Sequence, residues 1–132
     1  MDNATQLQEF GIEPTANRIQ ILSLFVGAHY PLSASIIIQM SRERKIHRAT
    51  VFRIISLFED RKLLKRIDFM EGEFRYELTS LPHHHHLVCR ACGDIQTLKE
   101  CPVEDVIKRV KRMAGFQTLD HSCELFGICK KC

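Results

Sequence analysis

The first 60 residues contain three segments in which apolar residues recur at helical spacing. In the first, Thr15 is placed as the N-cap, and the apolar positions are Ile19, Leu22 and Val26. The second follows a cap at Ser33, and its apolar face comprises Ile36, Ile37 and Met40. After a polar turn at 42–45, residues 47–60 are predicted to form a third helix with a buried stripe of Val51, Ile54, Ile55 and Phe58. Two short helices that are apolar on one face only and are joined by a tight polar turn are typical of a helix-turn-helix.

An alternating pattern follows the third helix. Segments 63–69 and 74–79 are predicted to be strands, because Phe74, Tyr76 and Leu78 alternate with polar residues. Gly72 between them can adopt the positive φ that a tight turn requires. A hairpin directly after a helix-turn-helix is the wing of a winged helix, so a DNA-binding winged helix is favoured over an ordinary small α+β core.

The composition changes at residues 80–82, beyond which lie all six cysteines and five of the seven histidines. We place a domain boundary there, with domains 1–81 and 82–132 and a hinge at about 80–86. The second domain is predicted to contain strands at 87–89 and 95–98, a helix at about 103–114 and a strand at 119–127. About fifty residues cannot bury a large core, and such domains commonly recruit a metal ion or a second subunit. The expected fold class is α+β, a winged helix-turn-helix domain followed by a small α/β domain that a metal ion or a second subunit would stabilise.

Composition and the N-terminal sequence indicate whether the cysteines are in an oxidising or a reducing compartment. The chain has 132 residues and is 45% hydrophobic, but its longest apolar candidate, 19–28, is interrupted by Gln20 and Ser23. The N-terminus lacks the pattern of a secretory signal. A cytoplasmic protein is therefore expected, and the reducing compartment favours thiolate ligands over disulfides.

The net charge of +3 is too small to indicate nucleic-acid binding by itself. Its distribution is more informative, because residues 42–66 contain nine basic and three acidic side chains. Such a stretch is usually a solvated face, and it becomes a phosphate-binding surface only where an element that reads a groove lies inside it. The predicted third helix is such an element.

Two C-x-x-C pairs predict a structural zinc site. They are Cys89 with Cys92 and Cys129 with Cys132, and four thiolates at this spacing can surround Zn²⁺ as a tetrahedron. The alternative is a disulfide or thioredoxin-like redox pair, but a catalytic dithiol needs one pair and a helix N-terminus beneath it. Cys101 and Cys123 fall outside the pairs and are expected to be small buried hydrophobes.

Four consecutive histidines, residues 83–86, precede the first C-x-x-C pair. In an extended segment, His84 and His86 face one side and His83 and His85 face the other, so the run can serve two metal sites. The alternatives are a solvated run or an expression tag, and the internal position disfavours the tag. Imidazole with carboxylates suits Zn²⁺, Fe²⁺, Mn²⁺ or Co²⁺.

Nearly the whole chain resembles the ferric uptake regulator family of metal-dependent repressors. The resembling stretches are PTANR at 14–18, ATVFR at 49–53, YELT at 76–79, HHHHLVCRACG at 83–93 and residues 121–132. The resemblance implies structural zinc at Cys89, Cys92, Cys129 and Cys132. It implies a regulatory site in the hinge at Glu77, His84 and His86. It also implies an accessory site at His83, His85, Glu104 and His121.

Several positions depart from the family pattern. Pro31 stands where members often supply a regulatory histidine, which leaves His29 as a candidate ligand. Thr97 replaces a frequent carboxylate and disfavours a six-coordinate iron or peroxide-sensing site. Zinc-uptake members commonly have a cysteine at position 79 and an acid at 65, where this chain has threonine and lysine. The acid at 77 favours the iron-sensing branch, with zinc uptake as the alternative.

The resemblance implies a homodimeric repressor that binds double-stranded operator DNA when a divalent metal, with iron favoured and zinc or manganese as alternatives, occupies the hinge. The expected DNA-contact residues are Arg18, Arg48, Thr50, Phe52 and Arg53. Members usually have tyrosine at position 52, so one hydrogen bond is expected to be missing. Two competing hypotheses are a metalloenzyme, which lacks a convincing general base here, and a zinc-stabilised protein-interaction module. Neither explains a basic third helix, and no enzymatic activity is expected.

Overall fold

The computed structural model describes residues 1–132 as two compact units, Met1–Leu81 and Pro82–Cys132. In chain order the elements are α1 (Asn3–Glu9), α2 (Ala16–Val26), β1 (Leu32–Ser33), α3 (Ala34–Ser41), α4 (Arg48–Asp60), β2 (Leu64–Asp68), β3 (Phe74–Leu78), β4 (His85–Cys89), β5 (Ile95–Leu98), α5 (Glu104–Ala114) and β6 (Glu124–Gly127). None of the helices combines the length and the apolar character needed to span a membrane.

Helices α2, α3 and α4 each begin at a residue whose side chain caps the helix. The Thr15 hydroxyl accepts from the backbone N–H of Arg18, and the Ser33 hydroxyl accepts from that of Ile36. Both predicted caps are confirmed. The His47 ring caps α4, because its Nδ1 accepts from the Ala49 N–H at 3.1 Å. Each cap satisfies a backbone donor that has no partner inside the helix.

The core of the first unit forms where these helices pack together. The predicted stripe of α4 is confirmed, since all four of its members are buried: Val51, Ile54, Ile55 and Phe58. The predicted face of α2 is only partly right, because Val26 is 52% exposed and the buried residues are Ile21, Leu22, Leu24 and Phe25. Apolar residues surround most of α2, so spacing alone does not select its buried face. Met40 of α3 is likewise exposed, whereas Ile37 is fully buried.

Two elements of the first unit, α1 and β1, were not predicted from the hydrophobic pattern. Helix α1 contains one fully buried leucine, Leu7, and begins where the Asp2 carboxylate accepts from the Thr5 N–H. A single core residue produces no helical periodicity. Strand β1 has two residues and pairs with β3, with Leu32 opposite Tyr76. Such a strand is too short to show alternation.

The predicted hairpin is confirmed as the antiparallel pair of β2 and β3. Leu64 lies opposite Leu78, and Asp68 lies opposite Phe74. The connecting turn contains Gly72 at φ +93°, a left-handed conformation that glycine adopts without a Cβ clash. With β1 the hairpin forms a sheet of order β1-β3-β2, which completes a winged helix.

The second unit is built on a sheet of order β5-β4-β6, in which β4 pairs antiparallel with β5 and parallel with β6. Strand β4 begins two residues earlier than predicted and includes His85 and His86. Strand β6 is shorter than the predicted 119–127: it begins at Glu124, and in the preceding segment the Asp120 carboxylate accepts from the N–H of His121.

The second unit buries very little apolar surface within one chain. Its buried hydrophobic residues are Val88 and Cys89 alone, and helix α5 has no buried residue. The exposed apolar residues include Val106, Met113, Phe116, Leu119, Leu125 and Ile128. A unit with so small a core needs further stabilisation from a metal ion or from another subunit.

Candidate metal sites and nucleic-acid surface

The parallel pairing of β4 with β6 brings the two C-x-x-C pairs together. In the register of these strands Cys89 lies opposite Gly127, two residues before Cys129. The four sulfurs form one group, the cysteine cluster: Cys89, Cys92, Cys129 and Cys132. The Sγ atoms of Cys92 and Cys129 are 3.8 Å apart, and those of Cys129 and Cys132 are 3.5 Å apart. Tetrahedral Zn–S bonds of about 2.3 Å place sulfurs about 3.8 Å apart, so the cluster fits a structural zinc ion.

The thiols of the cysteine cluster differ in acidity, with the pKa lowered at Cys89 and raised at Cys92 and Cys132. Backbone N–H groups of Cys92 and Cys129 donate to the sulfur of Cys89 and lower the pKa of this thiol to about 6. Hydrogen bonding to Cys129 raises the pKa of Cys132 to about 12. A bound cation would favour the thiolate form of all four. All six cysteines of the chain are free, and neither pair lies at a helix N-terminus, which disfavours the redox alternative.

The two sides of the histidine run form separate pairs, as the alternation predicts. The ring centroids of His83 and His85 are 4.7 Å apart, and those of His84 and His86 are 4.8 Å apart. His83 and His85 converge with His121, which precedes β6. Their Nε2 atoms are separated by 3.0 Å between His83 and His85 and by 3.3 Å between His85 and His121.

The fourth member of this group is Cys101, which lies in the loop between β5 and α5. Its Sγ is 3.4 Å from the Nε2 of His121. We name the four residues the accessory cluster: His83, His85, Cys101 and His121. Glu104 is not part of it, because its carboxylate is exposed and lies 3.9 Å from Lys108 Nζ. Cys101 is half-buried, and the sequence interpretation of this residue as a buried hydrophobe missed its contact with the histidines.

The protonation of His85 favours a ligand role. Its Nδ1 lies 3.1 Å from the carbonyl oxygen of Cys123, which can only accept, so Nδ1 carries the proton and Nε2 presents its lone pair to the accessory cluster. Burial lowers the pKa of His85 and keeps the imidazole neutral, the form that binds metals.

The residues expected in the hinge site belong to different units. Glu77 is a buried residue of β3 in the first unit, and Lys65 Nζ lies 3.5 Å from its carboxylate. His84 and His86 belong to the second unit, where His84 Nδ1 donates to the carbonyl of Pro82 at 2.6 Å. His29 is exposed between α2 and β1 and is not part of any group of three or more metal-binding side chains.

Helix α4 presents a polar and basic surface opposite its buried stripe. Arg48, Phe52 and Arg53 are exposed near its N-terminal end, and Arg53 Nη2 donates to the Thr50 hydroxyl at 3.1 Å. The Arg48 guanidinium lies 5.6 Å from the centre of the Phe52 ring, within cation–π distance. Arg18 of α2 lines the same shallow depression, of about 250 Å³, as Thr50 and Arg53.

Comparisons with known proteins agree with this arrangement. Residues 9–126 match the model of the ferric uptake regulator family. The ferric uptake regulation protein of Neisseria meningitidis serogroup A is 31% identical over 134 residues, covering 99% of this chain and 93% of that protein.

Among solved structures, the Vibrio cholerae ferric uptake regulator has a TM-score of 0.83 at 29% identity, covering 97% of this chain and 100% of that chain. The Francisella tularensis regulator, solved with iron, has a TM-score of 0.80 at 27% identity, covering 92% of this chain and 95% of that chain. The predicted α+β fold class is confirmed. Proteins of this family regulate transcription and are not enzymes, so the metalloenzyme hypothesis is wrong. The chain belongs to the ferric uptake regulator family of metal-responsive transcription regulators.

Proposed function

We propose that the chain is a homodimeric repressor that binds operator DNA when a divalent metal ion occupies a site in the hinge. The observation that carries this proposal is the division of α4 into two faces. One face is buried in the first unit, and the other exposes Arg48, Phe52 and Arg53 beside the short turn 42–45. A helix presented in this way after a helix-turn-helix turn is suited to the major groove.

The exposed residues of α4 provide both kinds of DNA contact. Arg53 can donate two hydrogen bonds to a guanine, and Phe52 can pack against a thymine methyl group. Thr50 lies beside Arg53, and Arg18 and Arg48 can contact phosphates, which positions the helix without reading sequence. The basic excess of residues 42–66 favours binding to the phosphate backbone.

Glu77, His84 and His86 are proposed to hold the regulatory metal. One carboxylate and two imidazoles are a donor set that suits Fe²⁺, Mn²⁺ and Zn²⁺. Iron is favoured because the relatives are named ferric uptake regulation proteins and a similar structure contains iron. His29 is a candidate additional ligand from the first unit.

Dimerisation is proposed to cover the apolar surface of the second unit. Helix α5 has no buried residue in one chain, and Leu125 of β6 is 51% exposed. A second chain at this apolar surface would remove apolar side chains from water, the main driving force of association.

The cysteine cluster is proposed to hold structural zinc, which joins the end of β4 to residues 129–132.

Ligands drawn from both units explain how metal binding alters DNA affinity. Glu77 belongs to the winged helix, whereas His84 and His86 belong to the dimerising unit. When bound, the metal supplies coordination bonds that restrain one unit relative to the other. The metal ion favours DNA binding only as far as it binds the DNA-binding arrangement of the chain more tightly than other arrangements. A coupling free energy of about 1 to 3 kcal/mol is typical.

The test is an anaerobic, reducing DNA-binding titration with Fe²⁺, Mn²⁺ and Zn²⁺. The DNA is first selected from a random-sequence pool with the parent protein. His86→Ala is expected to abolish the metal response while the dimer and structural zinc persist. His121→Ala is expected to keep the response with lower metal sensitivity.

Thr97→Ala is the matched control, because Thr97 is exposed and lies opposite His86 in the β4–β5 register. It is expected to behave like the parent protein. A His86→Ala protein that responds to metal like the parent would show that the hinge histidines are not the sensor. The same titration ranks the three metals, and tighter DNA binding with Zn²⁺ than with Fe²⁺ would favour the zinc-uptake alternative.

A further inference from the structure

The accessory cluster contains a thiol in place of a carboxylate. Three imidazole Nε2 atoms and the Cys101 sulfur converge in the second unit, whereas Glu104 lies outside the group. We propose that Cys101 completes this site as a thiolate ligand, giving a His₃Cys site that binds Zn²⁺. The proposal uses residues of the second unit only and does not depend on DNA binding.

The distances fit the bond lengths of a tetrahedral zinc site. Zn–N bonds of about 2.0 to 2.1 Å place neighbouring nitrogens about 3.3 Å apart, and a Zn–S bond of about 2.3 Å places sulfur about 3.6 Å from each nitrogen. The observed Nε2 separations are 3.0 and 3.3 Å, and Cys101 Sγ lies 3.4 Å from His121 Nε2. These three separations therefore match a tetrahedral zinc site, and all four donor atoms lie within 4.8 Å of one another.

The surroundings hold the ligands in this arrangement. The carbonyl of Cys123 accepts from His85 Nδ1 and directs the lone pair of Nε2 towards the cluster. Strand β5 ends at Leu98, which lies opposite His85, and the chain reaches Cys101 three residues later. This short connection positions the thiol beside the imidazoles. Glu104 is already on the first turn of α5, where its neighbour is Lys108.

A thiolate changes the metal preference of the site. Thiolate with imidazole in tetrahedral geometry favours Zn²⁺, whereas carboxylate and higher coordination numbers favour Mn²⁺ and Fe²⁺. Replacement of a carboxylate by Cys101 is thus expected to reserve the accessory site for zinc, whichever metal the hinge senses.

Competition with a chromophoric zinc chelator tests the ligand assignment. The full-length protein carries His86→Ala, so that the hinge does not contribute, and it retains its structural zinc. Cys101→Ser is expected to weaken the accessory zinc by at least about tenfold, since loss of even an outer partner costs about 10- to 100-fold. Glu104→Gln and the cysteine control Cys123→Ser are expected to leave the affinity unchanged. Weakening by Glu104→Gln with no effect of Cys101→Ser would overturn the proposal.

Alkylation of the protein without any substitution provides a second measurement. With iodoacetamide and peptide mass spectrometry, added Zn²⁺ is expected to slow labelling of Cys101 and to leave Cys123 unchanged. Equal labelling of Cys101 with and without zinc would contradict the proposal even if Cys101→Ser failed to fold. Neither measurement uses DNA, so their failure is distinguishable from failure of the proposed repressor function.

Discussion

Loss of one thiolate from the cysteine cluster is expected to unfold the second unit while the first stays folded. Cys92→Ser is the sharpest perturbation, because Cys92 is exposed and its substitution removes a sulfur without opening a cavity. Cys89, by contrast, is 5% exposed, and its replacement would also disturb packing. Cys123→Ser is the matched control, since Cys123 is half-buried and lies outside the cluster.

The expected magnitude follows from the unequal cores of the two units. The first unit contains the continuous hydrophobic cluster from Leu7 to Leu78, whereas the second buries only Val88 and Cys89 among its apolar residues. Structural zinc in small domains contributes about 10 to 16 kcal/mol of apparent binding free energy at neutral pH. This equals or exceeds the whole stability of a typical domain, about 5 to 15 kcal/mol. Folding of the second unit is therefore expected to require the zinc ion.

Hydrogen exchange read by mass spectrometry separates the two units. In Cys92→Ser, peptides from residues 82–132 are expected to lose amide protection, and peptides from residues 1–81 are expected to keep it. The variant should retain no tightly bound zinc, because the cysteine cluster and the accessory cluster both lie in the second unit. Sedimentation should show loss of the dimer, because the second unit carries the exposed apolar surface. One tightly bound zinc per chain with an intact dimer in this variant would refute the reasoning.

Three further changes test the first unit. Arg53→Ala is expected to cost about 1 to 3 kcal/mol at the specific DNA site and to relax discrimination there, measured by anisotropy against selected and scrambled DNA; an unchanged ratio would make Arg53 a phosphate contact. Phe58→Ala should lower the unfolding free energy by about 3 to 5 kcal/mol in denaturant titrations, because Phe58 is fully buried. The Arg66 guanidinium holds the pKa of Glu59 below its ordinary 4.5, so this pair stabilises the fold above that pH and its contribution is lost as pH falls through the lowered pKa. Glu59→Gln should therefore lower the thermal midpoint at neutral pH but match the parent protein in acid.

Local sequence signals predicted three helices and the hairpin of the first unit. They succeeded where a residue type acts in the same way in most proteins, as a capping hydroxyl does. A hydroxyl at Thr15 or Ser33 satisfies the same backbone donors wherever it precedes an apolar periodic segment. The stripe of α4 was predictable because its four members recur at helical spacing, and Phe52 is the one large apolar side chain exposed on the opposite face. In α2 apolar residues surround the axis, so only tertiary packing determines that Val26 is exposed. Helix α1 and strand β1 depend on contacts with other elements and leave little local pattern.

The metal sites show the same limit. Alternation along an extended segment predicted the two histidine pairs, and C-x-x-C spacing predicted which sulfurs would be grouped. Glu104 was carried over by position from the family resemblance, whereas Cys101 lies three residues earlier in a loop. The path of that loop depends on the β4–β5 pairing and on where α5 begins. The sequence pattern predicts these two elements but not where a side chain in the loop between them lies. A cysteine within a few residues of an expected carboxylate ligand was the available signal.

Five proposed metal ligands lie within seven positions, in strand β4 or directly before it. It is the central strand of its sheet, hydrogen-bonded to β5 on one side and to β6 on the other. Cys89 at its end belongs to the cysteine cluster, and His85 belongs to the accessory cluster, so metal bound at either would hold the strand from a different side. The backbone of His86 would then be held in place before the proposed hinge site bound its own metal. A ligand on a rigid element loses little conformational freedom on binding, so more of the binding free energy remains to restrain the winged helix.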